Sequence, residues 1–252
     1  PGFIYADKYI VLDIFDFDKV IKSIKKSKIT PNGVVSFVND AGMLGAAVIR
    51  EKFKLIGPDI ITSRKLVNKK LQREAWQNEK SMNPNWYSAS NENDAINIIK
   101  KLNKNIIIKP IDSGGSRGVF KLDIKKDNPA KILKKAFKAS KANEILIEDV
   151  IKGQEYSVET FTKNGKTKVF AVSKRILREN VTASQIISVK PNYENKKLIS
   201  KTCSKALQLL GYYNGPSHIE MFINKGESTL VEVAGRGGGY KIFDTLIPAV
   251  SG

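Results

Sequence analysis

The chain has 252 residues, of which 41% are hydrophobic and 27% charged, and its lone cysteine, Cys203, cannot form an internal disulfide. These proportions are typical of a globular protein. Because no apolar run approaches the roughly 20 residues of a membrane span, we predict no membrane partner. Because the single cysteine rules out an internal disulfide, we predict a location in the reducing cytoplasm. The net charge of +18 is spread along the chain, and no helix-turn-helix or zinc knuckle is present, which argues against a dedicated nucleic-acid partner.

The first sixty residues alternate between strand-like and helix-like patterns. They run in the order strand 9–12, helix 18–26, strand 33–38 and helix 41–53. This alternation predicts a small parallel sheet. Two more helices are expected, one capped by Thr62 or Ser63 and running to about Asn78, the other over residues 92–102 and capped by Ser90.

Strand-like segments become more frequent from residue 105 onward. The predicted elements are a strand over 105–111, a loop over 112–118, a strand over 119–123, a helix over 129–142 and a strand over 144–150. A hairpin with strands 155–162 and 168–173 turns at Asn164-Gly165, a dipeptide typical of tight hairpins. A helix from about 194 to 210 precedes a last hairpin with strands 217–224 and 228–234.

The loop between the strands predicted over 105–111 and 119–123 contains the sequence Ser113-Gly-Gly-Ser-Arg-Gly118. Glycines let backbone N–H groups approach an anion closely, so this loop could cradle a phosphate. Lys109 interrupts the preceding apolar strand and could meet the same phosphates as a point charge. The alternatives are an ordinary glycine-rich hairpin turn and a surface lysine. Neither the Walker nor the Rossmann glycine spacing is present.

Acidic residues follow the strand over 144–150. Glu148 and Asp149 lie at its end, and Glu155 follows seven residues after Glu148. Free backbone groups at a strand end, with a carboxylate beyond them, suit an adenine edge and a ribose hydroxyl. The alternative is an ordinary strand exit with exposed acids.

The last hairpin brings two glutamates together. If its turn is centred on Gly226, Glu220 lies directly opposite Glu232, with Cβ atoms roughly 5 Å apart. The same register predicts an apolar face made of Ile219, Met221, Ile223, Val231 and Val233. Like charges in this position are destabilising, whereas Mg²⁺ is commonly held by one or two carboxylates plus substrate phosphates. The hairpin favours a metal site and a solvated acidic pair equally.

The chain contains, in this order, the segments IIIKPIDSGGSRGV, ILIEDVIKGQEYSVE, GPSHIEMF and LVEVAGRGGG. This set resembles the ATP-grasp superfamily, near the carboxylate–amine ligases related to the carbamoyl-phosphate synthase large subunit, the amino-acid ligases and the carboxyaminoimidazole-ribonucleotide synthetases. The resemblance implies an α/β (α+β) ATP-grasp fold, with a partial Rossmann-like pre-ATP-grasp domain over residues 1–62 and an ATP-grasp domain over 63–252. A small lid subdomain over about 106–150 and a larger sheet subdomain over about 151–252 would clasp ATP. Both ends of the family pattern are expected to be truncated.

The resemblance also implies roles for individual residues. The implied ATP-binding set is Lys69 (with Lys70 as the neighbouring alternative), Lys109, Gly114, Gly115, Ser116, Gly118, Glu148, Asp149, Val150 and Glu155. In this set the lysines bind phosphates, the glycine loop forms a lid, Glu148 and the next two backbone units read adenine, and Glu155 binds ribose. Glu220 and Glu232 match the magnesium ligands. Arg236 and Lys109 are the implied catalytic residues, with Arg236 on the transferred phosphate.

One position departs from the family pattern. Many members have Glu-x-Asn-x-Arg at the second metal segment, whereas this chain has Ala234 between Glu232 and Arg236. His218, expected opposite Ala234, either replaces part of the missing metal ligation or is simply hydrogen-bonded.

The implied reaction is a two-step ligation that uses ATP with Mg²⁺ or Mn²⁺. ATP phosphorylates a carboxylate or bicarbonate, and an amine then displaces phosphate, as expected of a carbamoyl-phosphate-synthase-like ligase that forms carbon–nitrogen bonds. Its partners would be small-molecule carboxylate and amine substrates, and a homodimer is an open alternative to a monomer. Lys174, Arg175 and Arg178 either line the carboxylate pocket or lie on the solvated surface. The competing functions are a catalytically weak ATP-binding module and a basic nucleic-acid-binding protein.

Overall fold

A computed structural model of the protein describes residues 2–79, 81–178, 182–239 and 241–251. The helices are Phe17–Lys26 (α1), Gly42–Phe53 (α2), Ile60–Leu66 (α3), Lys69–Ala75 (α4), Glu92–Leu102 (α5), Pro129–Ala139 (α6), Tyr193–Leu210 (α7) and Ile247–Ser251 (α8). The strands are Trp86–Ala89 (β1), Ile106–Pro110 (β2), Phe120–Leu122 (β3), Ile145–Asp149 (β4), Gln154–Lys163 (β5), Lys166–Arg178 (β6), Thr182–Ser188 (β7), Gly215–Asn224 (β8) and Glu227–Ala234 (β9). Gly2–Tyr5 forms a 3₁₀ turn and Ile242–Leu246 a π-helical turn. Over these ranges no helix has the length and apolar character needed to cross a membrane.

The strands form two antiparallel sheets, each with its own core. The smaller sheet has the order β1-β4-β2-β3 and the larger one β7-β6-β5-β8-β9. Helices α5 and α6 cover the smaller sheet around the buried side chains of Ile99 and Leu133. Helix α7 covers the larger sheet, where Cys203 is buried and burial raises the pKa of its thiol. The mixed helix and sheet fold class is confirmed.

The first sixty residues depart from the prediction. Helices α1 and α2 form, but residues 9–12 and 33–38 are not strands, and the residues described ahead of β1 contribute to no sheet. The side chains of Tyr9, Val11 and Phe37 are 61%, 72% and 62% exposed. A parallel strand is stable where other strands bond its backbone and other elements bury both its faces. Since these segments have neither, the prediction of a parallel sheet is wrong, and the domain division at residue 62 stays a prediction.

The single helix expected up to residue 78 is two helices. Asp59, rather than Thr62 or Ser63, caps α3, because its carboxylate accepts the Thr62 N–H at 2.7 Å. Asn68 then starts α4 by accepting the Leu71 N–H at 3.1 Å through its side chain. Asparagine competes with the helical backbone for hydrogen bonds in this way, which is why it favours caps over helix interiors.

Both predicted hairpins form, and each turns on two residues with left-handed backbone. Asn164 and Gly165 have φ of 50° and 77°, and Lys225 and Gly226 have 48° and 82°. Two successive positive φ values define the type I′ turn, whose twist matches that of the flanking strands.

The register of the last hairpin is the predicted one only in part. Glu220 pairs with Glu232 as expected, but a bulge follows, so that Met221 pairs with Leu230 rather than with Val231. The prediction that Val231 belongs to the apolar face is therefore wrong, because the extra residue of a bulge shifts every later side chain by one position. Leu230 takes the place in the core, and Val231 faces the cavity described below.

Candidate active site

A cavity of about 650 Å³ lies between the two sheets. This volume is within the roughly 300–1,000 Å³ of typical small-molecule sites. The predicted site residues that line the cavity are Lys69, Lys109, Gly114, Gly115, Ser116, Glu148, Asp149, Val150, Glu155, Glu220, Glu232 and Arg236. Gly118 lies outside this lining. Its φ is +74°, and an added Cβ would meet Ala139 Cβ at 2.5 Å, so its role here is close packing against α6.

Lys69 enters the cavity from the first position of α4. Its backbone N–H donates to the Ile111 carbonyl at 2.8 Å, and its ammonium donates to the Ser113 carbonyl at 2.6 Å. The same Nζ lies 3.0 Å from Oε2 of Glu232. Lys70 instead pairs with Glu144 at 2.6 Å. Of the two lysines that the resemblance left open, Lys69 is the one that lines the cavity.

Lys109 and Glu148 form a buried ion pair, with 2.8 Å between Nζ and Oε2. Arg73, on α4, holds the other oxygen of the same carboxylate through Nε at 2.7 Å. Burial lowers the pKa of Lys109 to about 8; Glu148 opposes this shift, and Arg73 and Lys69 add to it. Burial acts to raise the pKa of Glu148, but Arg73 and Lys109 outweigh it and hold that pKa at about 2. At neutral pH the pair is therefore charged on both sides.

Arg175, on β6, lies between two acidic residues of the cavity. Its Nη1 contacts Oε1 of Glu220, and its Nε lies 3.2 Å from Oε1 of Glu155. Burial raises the pKa of Glu155, an effect that Arg175 opposes and Glu232 reinforces. Lys174 is exposed, and the Arg178 side chain lies outside the described part of the structure.

His218 is hydrogen-bonded on both sides of its ring. Nδ1 contacts Oε1 of Glu159, a buried residue on β5, and Nε2 lies 3.2 Å from Oε1 of Glu220. Ala234 is its cross-strand partner, as predicted. The other oxygen of Glu159 accepts the Gly238 N–H at 3.0 Å, so this pair also anchors the loop that follows β9. His218 thus has the hydrogen-bonded arrangement, one of the two alternatives predicted for it.

Glu220 and Glu232 are suited to a divalent cation. They are cross-strand partners that both line the cavity, and their side chains are 14% and 23% exposed. Burial acts to raise the pKa of Glu232, but Lys69 outweighs it and holds that pKa at about 2. Within the described residues, no three His, Cys, Asp or Glu side chains cluster as a metal site made of protein alone. Two carboxylates are instead the number that Mg²⁺ uses when phosphates supply the remaining ligands.

Arg236 approaches the cavity from the segment after β9. Its Nε and Nη2 donate to the two carboxylate oxygens of Asp40 at 2.7 and 2.9 Å. Burial acts to lower the pKa of Arg236, but Asp40 outweighs it and raises that pKa. Asp40 also lies beside the glycine loop, since a Cβ added to Gly114 would be 3.3 Å from its Oδ2. Asp40 therefore links the arginine to the loop.

Beyond Glu148, the end of β4 presents backbone rather than side chains to the cavity. The carboxylate of Asp149 binds Lys104 at 2.6 Å and the Asn85 amide at 2.9 Å, away from the cavity residues named above. Val150 follows the strand and lines the cavity. Within the described chain its N–H and C=O have no backbone partner. Two free, adjacent polar groups of this kind can bind a planar base through its edge.

Comparison with known proteins places this geometry in a family. A family model described as an ATP-grasp domain matches residues 102–244. The chain belongs to the ATP-grasp family. The predicted superfamily is thereby confirmed, and the match covers the smaller sheet after β1, the glycine loop and the larger sheet through the segment that follows Arg236.

Relatives and solved structures agree with this assignment. The chain is 31% identical over 150 residues to a D-alanine–D-alanine ligase of Flavobacterium psychrophilum, a match that covers 56% of this chain and 44% of the relative. An L-amino acid ligase from Bacillus licheniformis superposes with a TM-score of 0.73 at 21% identity, covering 92% of this chain and 57% of that one. The ADP complex of an N5-carboxyaminoimidazole ribonucleotide synthetase gives 0.72 at 20% identity, covering 93% and 60%. The chain thus spans about half the length of the ligase it matches in sequence.

Three residues of the site in this ATP-grasp protein were not predicted, namely Asp40, which lines the cavity, and Arg73 and Glu159, which hold the lining residues Glu148 and His218. A partial signal existed for one of them, because only 7 of the 43 basic residues are arginine. Of these, Arg50, Arg73, Arg175 and Arg236 hold carboxylates or buried carbonyls. Arginine is preferred in buried ion pairs, because its planar guanidinium presents several N–H donors to a carboxylate at once. Asp40 and Glu159 had no such signal, since their partners lie far away in the sequence.

Proposed function

We propose that this protein is an ATP-dependent ligase that converts a carboxylate to an acyl phosphate and couples it to an amine, releasing ADP and phosphate. The observation that supports it is the convergence of Lys69, Lys109, Glu220, Glu232 and Arg236 on one cavity beneath the glycine loop. Phosphoryl transfer needs positioning and charge neutralisation more than a covalent group from the protein. The cavity supplies both.

The cationic residues have separable roles in this proposal. Lys69 and Lys109 enter from different elements and bind the nucleotide phosphates, and Lys109 stays charged at neutral pH because its pKa is about 8. Arg236 stabilises the transferred phosphoryl group and the acyl phosphate, for which its bond to Asp40 keeps the guanidinium oriented. The Ser113–Gly118 loop covers the phosphates and excludes water, which protects an intermediate prone to hydrolysis.

Glu220 and Glu232 would hold Mg²⁺, or Mn²⁺, together with the nucleotide phosphates. When bound, the metal offsets the negative charge that builds up on the transferring group. Ala234 offers no ligand where many family members have asparagine. Glu220 and Glu232 would therefore be the protein groups that hold the metal, and His218 lies beside Glu220 at 3.2 Å.

The names of the relatives support a substrate class. Their names specify D-alanine and L-amino acids, which favours an amino acid as the carboxylate substrate over bicarbonate, the choice of a carbamoyl-phosphate-synthase-like enzyme. Amine and carboxylate could then be two amino acids. A cytoplasmic location and a homodimer stay predictions.

The test is magnesium-dependent ADP release from ATP, measured against a panel of amino acids and other carboxylates. We expect an amino acid to stimulate release, and Glu232→Gln to lower it at least 100-fold because one metal ligand loses its charge. Glu227→Gln, an exposed glutamate on the same strand, is the matched control and should match wild type. ATP binding without stimulation by any carboxylate would support the binding-module alternative. Polyanion binding that survives loss of Lys109 and Glu232 would support the nucleic-acid alternative.

A further inference from the structure

Arg73 is a buried charged residue that the proposed reaction does not use. It is 1% exposed and lies on α4, between the two sheets. Its guanidinium donates through Nε and Nη2 to the two oxygens of Glu148, at 2.7 and 3.3 Å, and through Nη2 to the Val231 carbonyl at 2.8 Å. Glu148 belongs to β4 of the smaller sheet and Val231 to β9 of the larger one. One side chain therefore joins the two walls of the cavity.

The contacts of Lys109 mirror those of Arg73. Its ammonium lies 2.8 Å from Oε2 of Glu148 and 3.4 Å from the Val231 carbonyl. The two cations thus share one carboxylate and one carbonyl, with Arg73 on the helix side and Lys109 on the cavity side. Arg73 holds Oε1 of Glu148 through Nε and also reaches Oε2 through Nη2, so the carboxylate is fixed in orientation and presents Oε2 to the ammonium of Lys109.

Only an arginine at position 73 can hold the Glu148 carboxylate in this way. A guanidinium presents parallel N–H groups that match both oxygens of a carboxylate, whereas an ammonium is a single point of charge. The ring of Trp76, 5.6 Å from the Arg73 guanidinium carbon, packs against the cation. A lysine at this place would keep the charge but could not hold both Glu148 and the Val231 carbonyl in the same geometry.

We infer that Arg73 is a positioning residue for Lys109: by sharing Glu148 and the Val231 carbonyl with it, Arg73 sets where the lysine meets the nucleotide phosphates and so sets the affinity for ATP. Glu148 is the shared anchor of the two cations. The inference rests on the proposed function, because it takes Lys109 to bind ATP. Arg73 does not line the cavity, so it would touch neither substrate nor metal.

A double-mutant cycle on ATP affinity tests the inference. Calorimetry gives the Kd of ATP with Mg²⁺ for wild type, Arg73→Lys, Lys109→Met and the double variant. Arg73→Lys retains a cation beside Glu148, so the variants keep a paired carboxylate, and thermal unfolding of each checks the fold. In the protein that retains Lys109, we expect Arg73→Lys to raise the Kd of ATP about 10-fold, the effect of losing one charge-assisted contact. With Lys109→Met present, the same change should alter Kd less than 2-fold.

A merely structural role predicts a different pattern. The same loss in both backgrounds, or no loss in either, would overturn the inference. Arg64→Lys, an exposed arginine on the neighbouring helix α3, is the control and should leave Kd unchanged. If Arg73→Lys unfolds, Arg73→Gln takes its place in the same cycle, and an equal loss of ATP affinity with and without Lys109→Met refutes the role. Wild-type protein that binds no ATP refutes the proposed function and this inference with it.

Discussion

At the scale of residues, the charges of the cavity lie in opposite pairs. Lys69 faces Glu232, Arg175 faces Glu220 and Asp40 faces Arg236. Removing one member of a buried pair is strongly destabilising, because the other charge is left without compensation. These pairs therefore keep the charged groups of the site oriented, and each group is available to exchange its protein partner for a phosphate or a metal.

The buried carboxylate of Glu148 makes the free energy of unfolding depend on pH. Its pKa is held near 2, below its usual 4.5. The stabilisation is thus fully present above about pH 4.5 and is lost as the pH falls toward 2, and a shift of this size is worth roughly 3 kcal/mol. We expect Glu148→Gln to be less stable than wild type at pH 7, because Arg73 and Lys109 lose their anion. Between pH 4.5 and 2 the variant should lose correspondingly less stability.

Urea unfolding at pH 7, 4.5 and 3 checks the acid dependence. Glu74→Gln is the control, since Glu74 is exposed and lies next to Arg73 on α4. The free energy of unfolding of the Glu74→Gln variant should follow the wild-type curve at every pH. Parallel curves for wild type and Glu148→Gln would show that the buried pair does not contribute in this way.

At the scale of elements, the cap of α4 positions a site residue. Asn68 starts the helix, and Lys69 is its first residue, aimed at Ser113 and Glu232. We expect Asn68→Ala to lower the free energy of unfolding by about 1 kcal/mol, because the helix loses its cap. We also expect the Kd for ATP to rise several-fold, because the first turn can then extend toward α3 and move the Lys69 side chain away from the cavity.

The matched control is Asn128→Ala, which removes the equivalent cap of α6, where the side chain accepts the Lys131 N–H at 3.3 Å. Calorimetric ATP titration and urea unfolding are measured on both variants. Both should lose similar stability, and only Asn68→Ala should lose ATP affinity. Equal losses of affinity would mean that the cap does not act through Lys69.

Local signals predicted most elements, and the failures have distinct physical causes. The turn residues Asn164-Gly165 and Lys225-Gly226 specify hairpins by themselves. The two-residue turn at Lys225-Gly226 alone would place Glu220 opposite Val231, and the bulge restores the predicted pairing of Glu220 with Glu232. The bulge before Met221 leaves no local trace, because it depends on which of Leu230 and Val231 fits the core. Residues 9–12 and 33–38 have strand composition, but composition does not provide the neighbouring strands that a sheet requires. Ser90 was expected to cap α5, and the adjacent Asn91 does so.

At the scale of the whole molecule, α4 connects the two cores. Its Lys69 and Arg73 side chains reach the smaller-sheet side at Ser113 and Glu148 and also contact β9 of the larger sheet. Toward the larger sheet it contributes Gln72, whose amide accepts the Val233 N–H at 2.9 Å and donates to the Val233 carbonyl at 2.8 Å. These are the two bonds that a neighbouring strand would make, so the side chain covers the free edge of β9. The spacing between the sheets, and hence the width of the cavity, depends on this helix.

Gln72 is 2% exposed, so its hydrogen bonds cannot be replaced by water. Gln72→Met keeps the volume of the side chain but leaves the N–H and C=O of Val233 unpaired, at about 1–3 kcal/mol each. We expect the free energy of unfolding in urea to fall by about 3 kcal/mol, and the Kd for ATP to rise because Lys69 and Arg73 sit on the same loosened helix. Gln77→Met, at an exposed position just beyond α4, should change neither quantity. A Gln72 variant that loses stability while keeping native ATP affinity would separate the helix from the geometry of the cavity.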